Sequence, residues 1–300
     1  MSVGSVGEIL TPLPPQAPFR YPGAKTMLAE WIIGHFPTHE TYVEPYFGSG
    51  AVFWRKQRSR SEYINDLNSE VVRFFRTLRS RAAEVALALE LTPYSREEYL
   101  LSMEPTEDDV EFCRRFVMRH QMSIGGNGGA RYATGWRHNG VQNCHGGVIA
   151  GWNKLPSRMG PVAARLKAAQ IENRDAVELI DRLNGLEVLV YVDPPYPNTV
   201  RSKKGKDAKM YAVEMMDEAS HIRLLGSLLE HEGMVVLSGY ACELYDDTLS
   251  EWMRVTRRAT AEMGQIREEV LWINPKAAGR LEHEAAGRAG HANPLFGSLR

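Results

Sequence analysis

Asp193, Pro194, Pro195 and Tyr196 stand at the end of an apolar run, in "YVDPPYPNTV". Proline has no N–H and suits neither a central strand nor a helix interior. The pair therefore stops the strand and holds the backbone extended, which makes the Pro194 carbonyl a fixed acceptor. Asp193 supplies a second. Two acceptors side by side match an exocyclic amino group with its two hydrogens, and Tyr196 offers a face for the ring that bears the amine. The plainer reading is a structural aspartate followed by prolines that end a strand. An acid, two prolines and an aromatic at one strand end favour the first.

A second cluster lies upstream. "VEPYFGSGAVF" sets Glu44 and Pro45 at a strand end, then Phe47, then Gly48 and Gly50 in a turn. Glycines there let a ligand approach the backbone and adopt positive φ. The turn is neither a G-x-G-x-x-G nor a P-loop, since it lacks the Lys-Ser/Thr pair that a triphosphate needs. An ordinary tight turn is the competing reading. The next strand ends in Asp66, where doubly wound folds place an acid on ribose hydroxyls, although a helix N-cap reads as well there. Together the turn and the acid favour an adenosine-bearing ligand without phosphates. In "FRYPGAK", Lys25 is suited to a ligand carboxylate and Tyr21 to covering a ring. Taken alone, that stretch is a turn that opens a helix.

Such residues need strand ends on one sheet edge. The pattern predicts a helix over 24–35, a strand over 41–43, the glycine turn, a helix opening at "AVFWRKQ", a strand over "SEYIND" and an amphipathic helix over "NSEVVRFFRTLRS". Residues 83–122 then read as helical, and 123–152 as Gly-rich loops and short hairpins. Alternation resumes with strand, turn and helix in "AAQIENRDAVELIDRL" and the strand "LEVLVYV". A helix over 217–230, the strand "GMVVLSGY" and a final antiparallel hairpin follow. The expected fold is α/β, a doubly wound Rossmann-like sheet with an inserted helical and loop subdomain. Its expected division is a flexible arm over 1–18, a catalytic domain over 19–76 and 165–276, the insertion over 77–164 and a tail over 277–300.

The chain has 300 residues, 43% hydrophobic and 24% charged, with a net charge of -1. That is ordinary for a soluble globular protein. Three cysteines, Cys113, Cys144 and Cys242, are too few and too irregular for a disulfide framework. With no signal peptide and no long apolar run, a cytoplasmic protein is expected. The charge is unevenly placed. From Cys113 to Ile171 there is no Asp or Glu, yet the window holds Arg114, Arg115, Arg119, Arg131, Arg137, Lys154, Arg158, Arg165 and Lys167. Phosphate backbones attract such blocks by counterion release, and Tyr132, Trp136 and Trp152 are placed to stack or wedge between bases. The bland alternative is a basic face balanced by acids from elsewhere. Cys144 and the nearby histidines match no common zinc spacing, so no metal is expected. The charged loop Arg201–Lys209 reads as a lid, a phosphate contact or a solvated loop.

The motifs and their order resemble a known family. "FRYPGAK", "EPYFGSGAVF" and "DPPY" are similar to the N-terminal, cofactor and catalytic motifs of the Dam-like, D12-class DNA adenine-N6 methyltransferases, including those of phages and prophages. The resemblance spans about residues 19–240. It implies that S-adenosylmethionine is held by Tyr21, Lys25, Glu44, Pro45, Phe47, Gly48, Gly50, Asp66, Asp175 and Asp193, with Asp175 bordering the adenine or merely capping its helix. It implies that Asp193, Pro194, Pro195 and Tyr196 are catalytic on an adenine flipped out of double-stranded DNA. Arg20 stands where the family often has a DNA-contacting cation, and Arg119, Arg131, Tyr132, Arg137 and Lys154 are the candidates from the basic block. A cognate restriction endonuclease and a monomer or weak dimer are further expectations, and membrane contact is not. The insertion matches no recognition pattern that translates into a target sequence. The alternatives are an N4-cytosine or RNA amino-methyltransferase, or a catalytically silent DNA-binding homologue. The cysteines have no role here, which argues against cytosine-C5 chemistry.

Overall fold

A computed structural model describes residues 15–124, 135–138, 147–196, 217–260 and 266–291. The strands are β1 (Thr41–Glu44), β2 (Ser61–Asn65), β3 (Gln170–Glu172), β4 (Val188–Val192), β5 (Met234–Tyr240), β6 (Met253–Thr260) and β7 (Ile266–Ile273). They form one sheet in the order β3-β2-β1-β4-β5-β7-β6. The first five are parallel, and β7 runs antiparallel to both β5 and β6, so the expected closing hairpin is present.

Side chains alternate along each strand and feed two cores. Tyr42, Leu189, Tyr191 and Val236 join a cluster containing Phe53, Phe74 and Phe75. Val43, Val190, Val192 and Val235 join the opposite cluster. The uninterrupted apolar run of β4 follows from this, since both of its faces are covered. The helices on the second face are α7 (Ala176–Arg182) and α8 (Glu218–Glu230), and Asp175 and Asp217 cap them.

The first face carries α2 (Ser69–Glu90), capped by Asn68, with α4 (Asp109–Met122) and α6 (Pro156–Leu166) packed against it. The expected domain boundary at 76/77 falls inside α2, whose backbone departs from helical geometry only at Arg81. The same helix thus serves the sheet and the insertion. The short helices α1 (Ala29–Ile33), α3 (Arg96–Leu101), α5 (Gly147–Asn153) and α9 (Glu243–Thr248) complete the connections. Among the described residues no helix is long and apolar enough to cross a membrane.

Three expectations change. The helix over 24–35 contracts to α1. The "AVFWRKQ" stretch forms turns, because Val52, Phe53 and Trp54 are all buried and leave no polar face for an amphipathic helix. The Trp54 indole N–H donates back to the Ser49 carbonyl at 2.6 Å. The supposed tail contains α10 (Pro275–His291). Asn274 starts it by accepting from the Ala277 N–H and from the Val235 N–H of β5, both at 3.0 Å. Ala277, Ala278 and Leu281 then pack on the core.

One buried ionic cluster ties the insertion to the sheet. Glu62 of β2 accepts from Lys56 at 2.6 Å and from the Arg165 guanidinium of α6 at 2.7 Å. That guanidinium also lies 3.8 Å from the centre of the Phe53 ring. Removing one member strands buried opposite charges. Glu62→Ala is expected to lower the unfolding free energy by about 3–5 kcal/mol, measured by urea denaturation.

Candidate active site

β1 and β4 lie side by side, with Val43 opposite Val190. The strand order reverses there, because β2 and β3 continue to one side and β5 to the other. An open α/β sheet leaves a crevice at the carboxyl ends of its strands at such a switch point. Glu44 ends β1 and Asp193 follows β4, and both line one cavity. Tyr21, Lys25, Phe47, Gly48, Asp66, Pro194, Pro195 and Tyr196 line it too. The three sequence motifs therefore meet in one place.

The glycine turn is built as its composition predicts. Gly48 and Gly50 have φ of 50° and 71°. A Cβ on Gly48 would lie 2.8 Å from Tyr21 Cδ1, and one on Gly50 would lie 2.5 Å from Phe47 Cζ. Gly50 and Pro45 do not line the cavity, and the Pro45 carbonyl accepts from Asn65 Nδ2 at 2.9 Å. Asp66 accepts from the Gly48 and Asn68 N–H groups, both at 2.8 Å. Burial pushes its carboxyl up to about 6, against the pull of those two hydrogen bonds. Burial also pushes the Glu44 carboxyl up to about 8. The Tyr42 hydroxyl, donating at 2.7 Å, opposes that rise and the Asp193 charge adds to it.

At the other wall, Asp193 Oδ1 accepts from Ser238 Oγ at 3.0 Å and lies 2.9 Å from Lys25 Nζ. Lys25 also donates to the Tyr196 hydroxyl and to the Gly23 carbonyl. Burial alone would discharge this ammonium. The Asp193 and Glu269 carboxylates outweigh it and hold Lys25 above the ordinary lysine range. Asp193 Oδ2 and the Pro194 carbonyl accept no hydrogen bond among the described residues. The Tyr196 ring packs 4.4 Å from the Tyr240 ring.

Ser238, Tyr240 and Glu269 were not among the predicted residues. Strand alternation contains the signal for Glu269, which shares a face with the buried Leu271 and Ile273. Ser238 and Tyr240 end the apolar run of β5 much as the Asp-Pro-Pro-Tyr residues end β4.

Other predicted residues lie apart. Asp175 caps α7, pairs with Arg223 at 2.8 Å and does not line the cavity. Arg119 is buried, donates to the Ser102 carbonyl at 2.8 Å and pairs with Glu70 at 3.1 Å, so it faces the core and not a ligand. Arg114, Arg115 and Arg165 pair with Glu98, Glu111 and Glu62, acids that flank the acid-free window. Trp152 is buried with its indole N–H on the Thr92 carbonyl at 2.9 Å, and Trp136 packs against Tyr94. Lys154 is exposed and Arg137 half-buried. Arg20 lines a second cleft with Arg55 and Arg158, which shares Tyr21, Ala24 and Ala51 with the first. Arg131, Tyr132, Cys144 and the loop 201–209 lie outside the described residues.

The family model for D12 class N6 adenine-specific DNA methyltransferases matches residues 21–262, most of the chain and every wall of this cavity. The chain belongs to that D12 class. It is also 24% identical over 196 residues to the DNA N-6-adenine-methyltransferase of Escherichia phage P1. That match takes in 60% of this chain and 24% of the phage protein, so the chain spans about a quarter of its relative's length. Among solved structures, precorrin 8w decarboxylase from Methanobacterium thermoautotrophicum aligns over 87% of this chain and 98% of its own, at 9% identity and a TM-score of 0.35. An overlap that loose adds nothing to the assignment.

A D12 enzyme needs a methyl donor, and the cavity suits one. The buried Ser49 hydroxyl on its wall has no hydrogen-bond partner among the described residues. The Gly48 wall admits no side chain, and the Asp66 carboxylate lines the same cavity.

The raised Glu44 value has a consequence for stability. Its folded pKa exceeds the unfolded one, so the unfolded chain loses the proton first as pH rises. The ligand-free protein is expected to lose stability between about pH 5 and about pH 8, by a few kcal/mol at most from this group. Glu44→Gln should flatten that slope, as read from urea midpoints across the range.

Proposed function

We propose that this protein moves the methyl group of S-adenosyl-L-methionine to N6 of an adenine flipped out of double-stranded DNA. The observation that carries the reading is the pair of acceptors, Asp193 Oδ2 and the Pro194 carbonyl, beside Tyr196 at the mouth of the cavity. The cofactor, when bound, supplies an electrophilic methyl on a sulfonium.

The chain's residues supply position and electrostatics. Tyr196 holds the extruded base by stacking. Asp193 and the Pro194 carbonyl take the two N6 hydrogens, which draws the nitrogen lone pair out of conjugation with the ring. Lys25, 2.9 Å from Oδ1, holds the Asp193 carboxylate in place. Tyr21, Phe47, Gly48 and Asp66 form the cradle for the nucleoside end. Exposed Lys154, with Arg20 and Arg158 at the second cleft, supplies the attraction for phosphate.

Incubation with labelled S-adenosylmethionine and mixed-sequence duplex DNA, followed by digestion to nucleosides, is expected to yield N6-methyladenine. N4-methylcytosine, or label in RNA alone, would replace the reading with one of its rivals. Asp193→Ala should lower turnover by about 10²–10³-fold, the scale of one preorganised polar contact at a reacting group. Activity that survives this change would sink the proposal.

The two kinds of arginine and lysine separate in a binding assay. Lys154→Ala should weaken duplex binding evenly across sequences and reduce the slope of log Kd against log salt by about 1. Arg119→Ala should leave that slope unchanged and lower the urea midpoint, because its partners are internal.

A further inference from the structure

Glu269 is a buried carboxylate with no part in the cofactor cradle. It lies on β7, 7% exposed, between residues whose neighbours on the same face are Leu271 and Ile273. A strand needing only to cover the core would carry a third aliphatic side chain there. A buried acid is costly unless partners compensate it. Its partners all belong to the catalytic wall. Oε2 stands 3.9 Å from Lys25 Nζ and 3.4 Å from the Tyr196 hydroxyl. The Tyr240 hydroxyl is a further partner, and the Tyr240 ring packs on Tyr196.

The direction of these bonds is forced. An ammonium only donates, so Lys25 gives a proton to the Tyr196 oxygen. Tyr196 has a single O–H, and Glu269 is the acceptor set to receive it. Lys25 is likewise shared, with Asp193 at 2.9 Å and Glu269 at 3.9 Å. We propose that Glu269 is a positioning residue for the methyl-transfer reaction: it fixes the Tyr196 ring through its hydroxyl and shares the Lys25 ammonium, so that Asp193 keeps its strength as an acceptor. The inference rests on the functional reading above and extends it to β7.

With Glu269 absent, the Tyr196 hydroxyl loses this tether to β7 and Lys25 loses one of its two carboxylates. The ring keeps its contacts with Lys25 and Tyr240 but is placed less firmly, and a misplaced stacking platform is expensive in rate. The cofactor cradle is built from other residues and keeps its shape.

Steady-state kinetics on duplex DNA test this. Glu269→Ala should lower kcat by about 10²-fold, the scale of a small misplacement at the reacting centre, with KM for S-adenosylmethionine within about threefold of wild type. Glu269→Gln keeps an oxygen for the tyrosine but loses the charge, and should fall by about tenfold, a partial rescue relative to alanine. Tyr196→Phe removes the hydroxyl, and adding Glu269→Gln to it should cost less than Glu269→Gln costs wild type. Where the alanine variant does not fold, the glutamine variant and its cycle with Tyr196→Phe decide. Wild-type kcat in Glu269→Gln, or losses that multiply in the double variant, would overturn the inference in favour of a scaffold role. Should Asp193→Ala stay active, the functional reading has failed. An inactive Asp193→Ala beside a normal Glu269→Gln fails only the inference about Glu269.

Discussion

A single buried ammonium joins the parts of this molecule that matter for chemistry. Lys25 comes from the turns that precede α1, Asp193 from the end of β4, Tyr196 from the segment that follows, and Glu269 from β7. None of these charges would tolerate burial alone, because desolvation of an isolated ion far outweighs what packing returns. Each is tolerable because the others are present. The constraint is mutual, so the turn, the parallel strand and the antiparallel strand are held in one register around it.

The cavity beside this cluster takes its form from the sheet. Parallel neighbours β1 and β4 end together where the winding reverses, and that alone opens a crevice. The glycine turn then deepens it. Gly48 bends at positive φ with the Tyr21 ring pressed close, so that no side chain fills that wall. Two acids on the cavity wall, Glu44 and Asp66, are pushed up in pKa by burial.

The basic window illustrates how misleading a one-dimensional charge count is. Arg114, Arg115, Arg119 and Arg165 face Glu98, Glu111, Glu70 and Glu62, and they stabilise helix packing in place of a polyanion interface. Outside those ion pairs, Lys154 is exposed, Arg137 is half-buried, and Arg20, Arg55 and Arg158 line the second cleft.

The alternation of strands and helices was legible in the sequence, as were the glycine turn, Asp66 and the acid-proline-proline-tyrosine strand end. Those features depend on local rules: side-chain period, the φ that glycine permits and the donor that proline lacks. Where locality fails, so did the reading. "AVFWRKQ" has helical residues, but Val52, Phe53, Trp54 and Lys56 are all buried and the stretch forms turns. Glu269 stands 76 residues from Asp193, and only the antiparallel pairing of β7 with β5 brings it beside Lys25. The sequence by itself determined which groups could accept an amine's hydrogens. The tertiary structure decided which charges were buried together, because desolvation and ion pairing act through space and depend on neighbours that sequence order does not reveal.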